Sequence, residues 1–484
     1  MFLNSDIRNL IIVGIGRVSQ ILFSLVSIKI ATTLLSPSEM GRQNIFLAIG
    51  TICMTLFSTP LAAFWNRRFH GWKDSGNLLE ITKYALIYMA VLLLPISLIG
   101  VFINNIVGFG TQVSAGWLIW IIFGGFFLSQ ISNTAITSFN LWGKRVIYVI
   151  VSNIVLWGGL LLSVVFIRNL ENNAEWWYSG TVVIKLFLLV LLFPSIVFKL
   201  QKKTTKHKVD ISSEWESLWQ FSSPLIVYSF VYFLQYQSYP FLFGFRADVV
   251  SLGLFSVGLN LGLNPMRMFS NLFEEYYNPI FYSRINSNPE QIRDAWNQYV
   301  KAYLPAIIAF GFFVIGISPL LAKILLGSQF QSVAWLAIWG VILQVCVVSY
   351  SLLNMASHAF YQTKLMIMPT ILGAFFTVGL LSFLLPIDPL LGGAIAVLTG
   401  AFINLVGMAW QIKKVMPVSI PWKLILIAST ISAPYLVTFW GINLVQGNIY
   451  LVLAFVGMVF YALIAQLFLG KEWLRNQSQT LPIE

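Results

Sequence analysis

Acidic residues are scarce in this chain. Of 484 residues, 17 are Asp or Glu against 29 Lys or Arg, and all charged residues together make 10%. A soluble domain carries roughly 25%, so a water-soluble enzyme or binding module is excluded. Cysteine is nearly absent. Cys53 and Cys346 both lie in apolar runs and read as small packing residues, with no disulfide or metal site. His70, His207 and His358 are scattered and form no ligand cluster, so no metal is expected. Gly14-Ile15-Gly16 lacks the strand-turn-helix setting of a nucleotide loop, and no cofactor is implied. No long outer loop carries paired carboxylates or a His-Asp set, so the chain reads as a non-enzyme. The excess of base does not point to nucleic acid, because most of it sits in short loops between apolar runs. The first apolar run is too long for a cleavable signal peptide and has no small-residue cleavage pattern after it.

What is present is apolar sequence: 58% of residues are hydrophobic and the mean hydropathy is +0.81. Runs of the roughly 20 residues needed to cross a bilayer recur about fourteen times between residues 9 and 469. The count falls to about twelve if the close pairs around Asp388 and Gly447 merge. The expected fold is an all-α polytopic membrane protein. Its expected parts are two pseudo-symmetric six-helix lobes, residues 1–200 and 219–412, joined by a basic cytoplasmic linker at 201–218. Two further spans over 413–470 and a tail at 471–484 complete it. Loops holding Arg67, Arg68 and Lys73, then Lys144 and Arg145, then Lys202, Lys203 and Lys206 all fall on one side. The positive-inside tendency makes that side the cytoplasm and puts both termini there. The loop 274–301 contains two Asn-Pro pairs, and 289–299 is expected as a short interfacial helix. The turn Glu39-Met40-Gly41-Arg42 and the stretch Ser251-Leu252-Gly253-Leu254 are similar, as are the pairs Gln130/Asn140 and Gln344/Asn354. Such internal repetition is how many transporters are built.

Within the apolar runs, a few polar residues fall in register. Arg17, Gln20, Ser24 and Ser27 share one helical face of the first run. A mid-membrane charge costs about 2.5–3.5 kcal/mol on insertion scales and is normally kept for water, a partner or a ligand. The eighth run, 250–272, is the strongest case: Ser256, Asn260, Asn264, Arg267, Asn271 and Glu274 form a continuous polar stripe beside Pro265. It reads as a cavity wall with Arg267 as an anion ligand, or as an arginine that snorkels to the interface or pairs with Glu274. Tyr228, Tyr232, Gln235 and Tyr239 share a face of the seventh run, 219–240; they suit sugar contacts and equally suit interhelical packing. Gln344, Ser351, Asn354 and His358 make a second candidate wall in the tenth run. Lys185 stands one turn after Thr181 in the sixth, either in the cavity or snorkelling outward. No Asp or Glu lies deep in any run, so the usual carboxylate of a proton- or sodium-coupled pump is missing. A cavity lined by bases suits phosphate or carboxylate and does not suit organic cations.

Three motifs carry a family resemblance. Leu34-Leu35-Ser36-Pro37-Ser38-Glu39-Met40-Gly41 looks like an "L-x-P-x-E-[FY]-G" turn after the first span. Phe241-Leu242-Phe243-Gly244 through Leu252-Gly253-Leu254-Phe255-Ser256-Val257, and Leu325-Leu326-Gly327-Ser328-Gln329-Phe330, are the other two. With them the chain resembles Wzx-type O-antigen and capsule flippases, in the polysaccharide branch of the multidrug/oligosaccharidyl-lipid/polysaccharide (MOP) superfamily. Met40 and Leu254-Phe255 depart from the commoner pattern. The resemblance implies two six-helix lobes around a cationic cavity, with the last two spans packed outside. It implies transfer of an undecaprenyl-pyrophosphate-linked oligosaccharide across a bacterial inner membrane by alternating access. Arg17 and Arg267 fall on the spans that carry cavity arginines in related lipid-II flippases. The expected substrate-binding set is Arg17, Arg267, Lys185, Gln20, Asn260, Asn264, Tyr232, Gln235 and Asn354. Expected partners are the lipid-linked oligosaccharide, membrane lipid, and a polysaccharide polymerase with its chain-length regulator. A drug antiporter of the same superfamily, a polysaccharide polymerase, and a non-transport membrane scaffold are the rival readings.

Overall fold

The computed structural model describes residues 2–106, 113–201, 211–287, 292–360, 362–417 and 419–436. These are helical almost throughout, with no strand among the described residues. Helix dominates because a lipid-facing backbone must satisfy its polar groups within its own segment. Eleven helical stretches among them are long and apolar enough to cross a membrane. The chain is an all-α polytopic membrane protein. It divides into two compact units, residues 1–253 and 254–484.

The first unit begins with α1 (Phe2–Leu34), a tight turn, and α2 (Pro37–Cys53). Ser36 caps α2, its hydroxyl accepting from the Glu39 N–H at 3.3 Å, with Pro37 in the first turn. The Ser36/Glu39 spacing is that of a capping box. Here Glu39 reaches elsewhere, accepting instead from the Ala174 N–H at 2.6 Å. Arg42 bonds Glu39 and ion-pairs with Glu175, so the turn is bolted to a helix that starts far along the chain. The α2 helix continues through a π segment (Met54–Ser58) into α3 (Thr59–Asp74). After α4 (Leu78–Ile106), two more composite helices follow. They are α5 (Ala115–Ile122) through a π segment at Phe123–Leu128 into α6 (Ser129–Leu141), and α7 (Arg145–Asn153) through Ile154–Gly158 into α8 (Gly159–Asn169). Then come α9 (Ala174–Gln201), α10 (Ile211–Tyr236) and α11 (Tyr239–Arg246).

The α12 helix (Val249–Ser287) contains the boundary between the units. It is followed by α13 (Ile292–Leu325), a 3-10 turn (Ser328–Val333), α14 (Leu336–Ala359) and a second 3-10 turn at Thr363–Met366. The helices α15 (Ile367–Leu384), α16 (Pro389–Ile412) and α17 (Trp422–Ser432) complete the described part.

The two similar stretches at Gly41 and Gly253 lie against each other. A Cβ on Gly253 would stand 1.9 Å from the Pro37 carbonyl oxygen, and one on Gly41 1.9 Å from that of Val249. Only glycine permits such contact between backbones.

Two expectations are corrected. The run at 219–240 is not one helix, because α10 ends at Tyr236 and α11 starts at Tyr239. The loop expected at 274–301 is helical over 274–287, and of the short interfacial helix expected at 289–299 the described residues, 292–299, are the start of the long α13. Aromatic packing explains the second case. Phe273 stacks on Tyr277 and Tyr303 at centroid distances of 4.3 and 4.2 Å, and the Tyr299 hydroxyl donates to Asn278 Oδ1 at 3.0 Å. Trp296, 1% exposed, donates from Nε1 to the Leu352 carbonyl at 2.8 Å. These contacts outweigh the local Asn278-Pro279 turn signal. Of the last two expected spans, the first is represented by an apolar helix over Trp422–Leu436. The run at 448–469 lies outside the described residues.

Candidate functional site

Cations inside the membrane helices of the first unit are held by polar partners. Arg17, half-buried in α1, donates from Nη1 to Gln20 Oε1 at 2.9 Å, one turn along. The i, i+3 spacing puts both on one face, and the amide spreads the guanidinium's polarity along it. Ser19, on the same turn, donates to Asn153 Oδ1 and accepts from Trp157 Nε1 at 3.0 Å. A polar layer therefore links α1 to the composite α7–α8 helix.

Lys185 of α9 donates from Nζ to Ser129 Oγ at 2.9 Å. The same hydroxyl, buried at 7% exposure, donates to the Gly124 carbonyl at 2.7 Å. Gly124 belongs to the π segment before α6. A π turn adds one residue to the helical circuit and alters which carbonyls the backbone itself satisfies, and such turns cluster at functional sites. The chain Lys185–Ser129–Gly124 is thus a charge tethered to an irregular backbone. Glycines bring the surrounding helices close: a Cβ on Gly125 would stand 2.8 Å from Gly50 Cα, and one on Gly124 2.3 Å from a Val182 methyl. The Tyr178 hydroxyl donates to the Ile121 carbonyl at 3.1 Å just before the π segment.

On α10 the rings of Tyr228, Tyr232 and Tyr236 form a ladder, with centroids 6.2 and 4.7 Å apart in turn. Tyr232 is half-buried, while Gln235 is 1% exposed and set within the packing of this unit.

In the second unit the stripe on α12 grades from inside to outside. Ser256 is 1% exposed, Asn260 and Asn264 are half-buried, and Arg267 and Asn271 are exposed. Glu274, at the far end of the stripe, accepts from the Tyr303 hydroxyl at 3.4 Å. The α12 backbone is pressed against α14. Cβ atoms on Gly262 and Gly340 would meet the carbonyl oxygens of Ala337 and Leu259 at 2.0 and 2.1 Å. On α14, Gln344 is buried and Asn354 is half-buried, with an Oδ1 that is buried and receives no hydrogen bond. Ser351 and His358 are exposed.

The structure therefore joins Arg17 to Gln20 directly and gives Lys185 a separate anchor on Ser129. It puts Tyr232 and Gln235 in the same unit as these, and Asn260, Asn264, Arg267 and Asn354 in the other. Sequence reading missed Ser129, Ser19 and Asn153. Gly124-Gly125 followed by Ser129 was the available signal: small residues allow close approach, and a hydroxyl one turn on can satisfy a displaced carbonyl. Among the described residues no group of three or more His, Cys, Asp or Glu is arranged to hold a metal ion.

Comparison with known proteins gives one family model and several solved structures. A family model described as "Polysaccharide biosynthesis protein" matches residues 174–335. The structure is similar to that of the lipid II flippase MurJ in an inward closed conformation, with TM-score 0.69 and 13% identity, covering 97% of this chain and 99% of that one. It is also similar to a multidrug resistance MATE family transporter of the MOP superfamily, inward-facing, with TM-score 0.56, 14% identity and coverage of 83% and 98%. A Vibrio cholerae MATE transporter, VcmN, matches with TM-score 0.54, 14% identity and coverage of 83% and 94%. No curated protein sequence matches the chain. At these identities the likeness is one of fold, and that fold is shared by a lipid II flippase and by MATE transporters.

Proposed function

We propose that this chain is a MOP-superfamily flippase that moves an undecaprenyl-pyrophosphate-linked oligosaccharide, an O-antigen or capsule repeat unit, across the bacterial inner membrane. The observation that carries the reading is the charge of the membrane interior. Cations such as Arg17 and Lys185 are built into helices on polar tethers, while the apolar runs have no deep carboxylate. Such a lining attracts pyrophosphate and repels the organic cations that a drug exporter would take. The fold shared with a lipid II flippase over nearly the whole chain, and the polysaccharide model over 174–335, support the same direction.

In this mechanism Arg17 and Arg267 bind the pyrophosphate, Lys185 adds a third charge, and Gln20, Asn260 and Asn264 complete the polar lining. Tyr232, Gln235 and Asn354 contact sugars. The lipid tail stays in the bilayer, so only the head needs a polar path. Two lobes rock about that path, opening it first to the cytoplasm and then outward. Both termini are cytoplasmic, and the product passes to a polymerase and its chain-length regulator.

The test is complementation of a flippase-deleted, O-antigen-producing host. Wild type restores surface polysaccharide, and Arg17→Ala or Arg267→Ala at normal membrane abundance does not. Full restoration by both variants would remove the cationic site from the account.

A further inference from the structure

The first unit holds a cavity lined by none of the residues proposed to bind substrate. Its volume is about 100 Å³. It lies among Leu61 and Trp65 of α3, Ala85 and Met89 of α4, and Ile131 and Ala135 of α6. An engineered cavity of about 150 Å³ with such a lining stays dry and takes benzene, so this one has room for a short stretch of aliphatic chain. The polar groups in its wall are satisfied by one another. Gln130 Nε2 donates to Thr134 Oγ1 at 3.0 Å, and Ser138 Oγ to the Thr134 carbonyl at 2.8 Å. Trp65 is the exception: it is 6% exposed and its indole N–H is buried with no acceptor.

Two observations identify the occupant. The α4 helix forms one wall and faces lipid along its length, with Ile87 55% and Leu94 69% exposed. Bilayer chains therefore lie just across a single helix from the cavity. The cavity sits at the end of α3, α4 and α6 where base is concentrated. Arg68 precedes Phe69, Lys83 follows Thr82, and Lys144 and Arg145 follow Trp142, where Phe69, Thr82 and Trp142 all line the cavity. All four of these bases are exposed. An anionic headgroup gains about 1 kcal/mol for each such Lys or Arg near the membrane surface.

We propose that the cavity between α3, α4 and α6 binds one acyl chain of an anionic phospholipid, whose headgroup rests on the Arg68, Lys83, Lys144 and Arg145 rim. Neither Arg17, Arg267 nor Lys185 lines this cavity.

The experiment uses the full chain in phosphatidylethanolamine vesicles containing a trace of phosphatidylglycerol with a photoactivatable diazirine on one acyl chain. A phosphatidylcholine probe with the same chains is the control, and labelled peptides are mapped by mass spectrometry. The phosphatidylglycerol probe is expected to label peptides covering 61–69, 78–89 and 130–142 well above the control. Ala135→Trp or Ala85→Trp fills the cavity and lowers that labelling severalfold, while labelling of the lipid-facing 91–102 stretch stays constant. Lys144→Gln with Arg145→Gln alters only exposed side chains, so it tests the proposal even if a filled cavity impairs folding. Each neutralised charge is expected to cost about fivefold in phosphatidylglycerol labelling. Labelling that ignores both the headgroup and the rim charges, or that survives cavity filling unchanged, would overturn the site.

Discussion

The two units solve the same problem, burying helices against helices in a membrane, with different interiors. In the first, three spanning helices are interrupted by π segments, at Met54–Ser58, Phe123–Leu128 and Ile154–Gly158. Polar side chains gather beside two of them: Ser129 and Lys185 at one, Ser19 and Asn153 at another. In the second, no π segment occurs among the described residues. There α12 and α14 are uninterrupted helices pressed together through Gly262 and Gly340, and α16 abuts α15, where a Cβ on Gly400 would stand 1.8 Å from Thr377 Oγ1. Between membrane helices there is little hydrophobic drive, so close packing and hydrogen bonds do the holding. The second unit relies on packing. The first gives up regular helix to house charge, and residues that house charge are usually kept for function at some cost to stability.

The contrast is broken most severely by enlarging a glycine. Gly262→Leu or Gly340→Leu would push a side chain into a backbone carbonyl. Overpacking costs about 1–3 kcal/mol in ordinary cores and more where backbone must move, so folded protein recovered in detergent is expected to fall sharply. Recovery equal to wild type would mean that the α12–α14 contact is not the close one described.

Lys185 sharpens the comparison from the other side. Lys185→Met keeps the length of the side chain and removes the charge. If the lysine is there for an anion, stability holds or rises while transport falls, as read by melting temperature and surface polysaccharide together. Ser129→Ala leaves Lys185 without that acceptor, and a buried group so deprived loses about 1–3 kcal/mol. A melting temperature lowered by Ser129→Ala and restored by adding Lys185→Met would show that the pair acts as a unit.

Much of this architecture was legible in the sequence, for identifiable reasons. Apolar runs the length of a bilayer mark spanning helices wherever they occur, and α4 and α14 needed nothing more, whereas the division at Asp388 that starts α16 stayed open in the sequence. The Leu34–Gly41 turn announced itself through Ser36, Pro37 and Glu39. What could not be read is tertiary. The bonds from Glu39 to Ala174 and from Arg42 to Glu175 join residues 133 to 135 apart in the chain. The helical course of 274–287 depends on rings contributed by α13. The π segments leave no periodic trace, because one added residue shifts the polar face by less than a third of a turn. Within the candidate site the stripes on α1 and α12 were visible as spacing, whereas Ser129 and Asn153 matter only through the residues folding brings to them.

Smaller effects test the polar layer. Ser19→Ala removes the hydroxyl that joins Asn153 and Trp157, and about 1 kcal/mol is expected from losing such bonds, seen as a modest drop in melting temperature. Smallest of all, Gly71→Ala and Gly116→Ala meet nothing within 4 Å. Alanine favours helix over glycine by up to about 1 kcal/mol, so melting temperature should stay level or rise slightly. A marked loss at either position would show that space described as open is filled.

The central claim is that the charged interior moves an anionic lipid head. Its most direct measurement is translocation of a lipid-linked pyrophosphate oligosaccharide in vesicles reconstituted with the purified full chain, read by the arrival of the sugar on the far face. The account predicts protein-dependent arrival that Arg17→Ala and Arg267→Ala each abolish, while both variants keep the wild-type melting temperature. Undiminished arrival in the Arg17→Ala, Arg267→Ala double variant would contradict it.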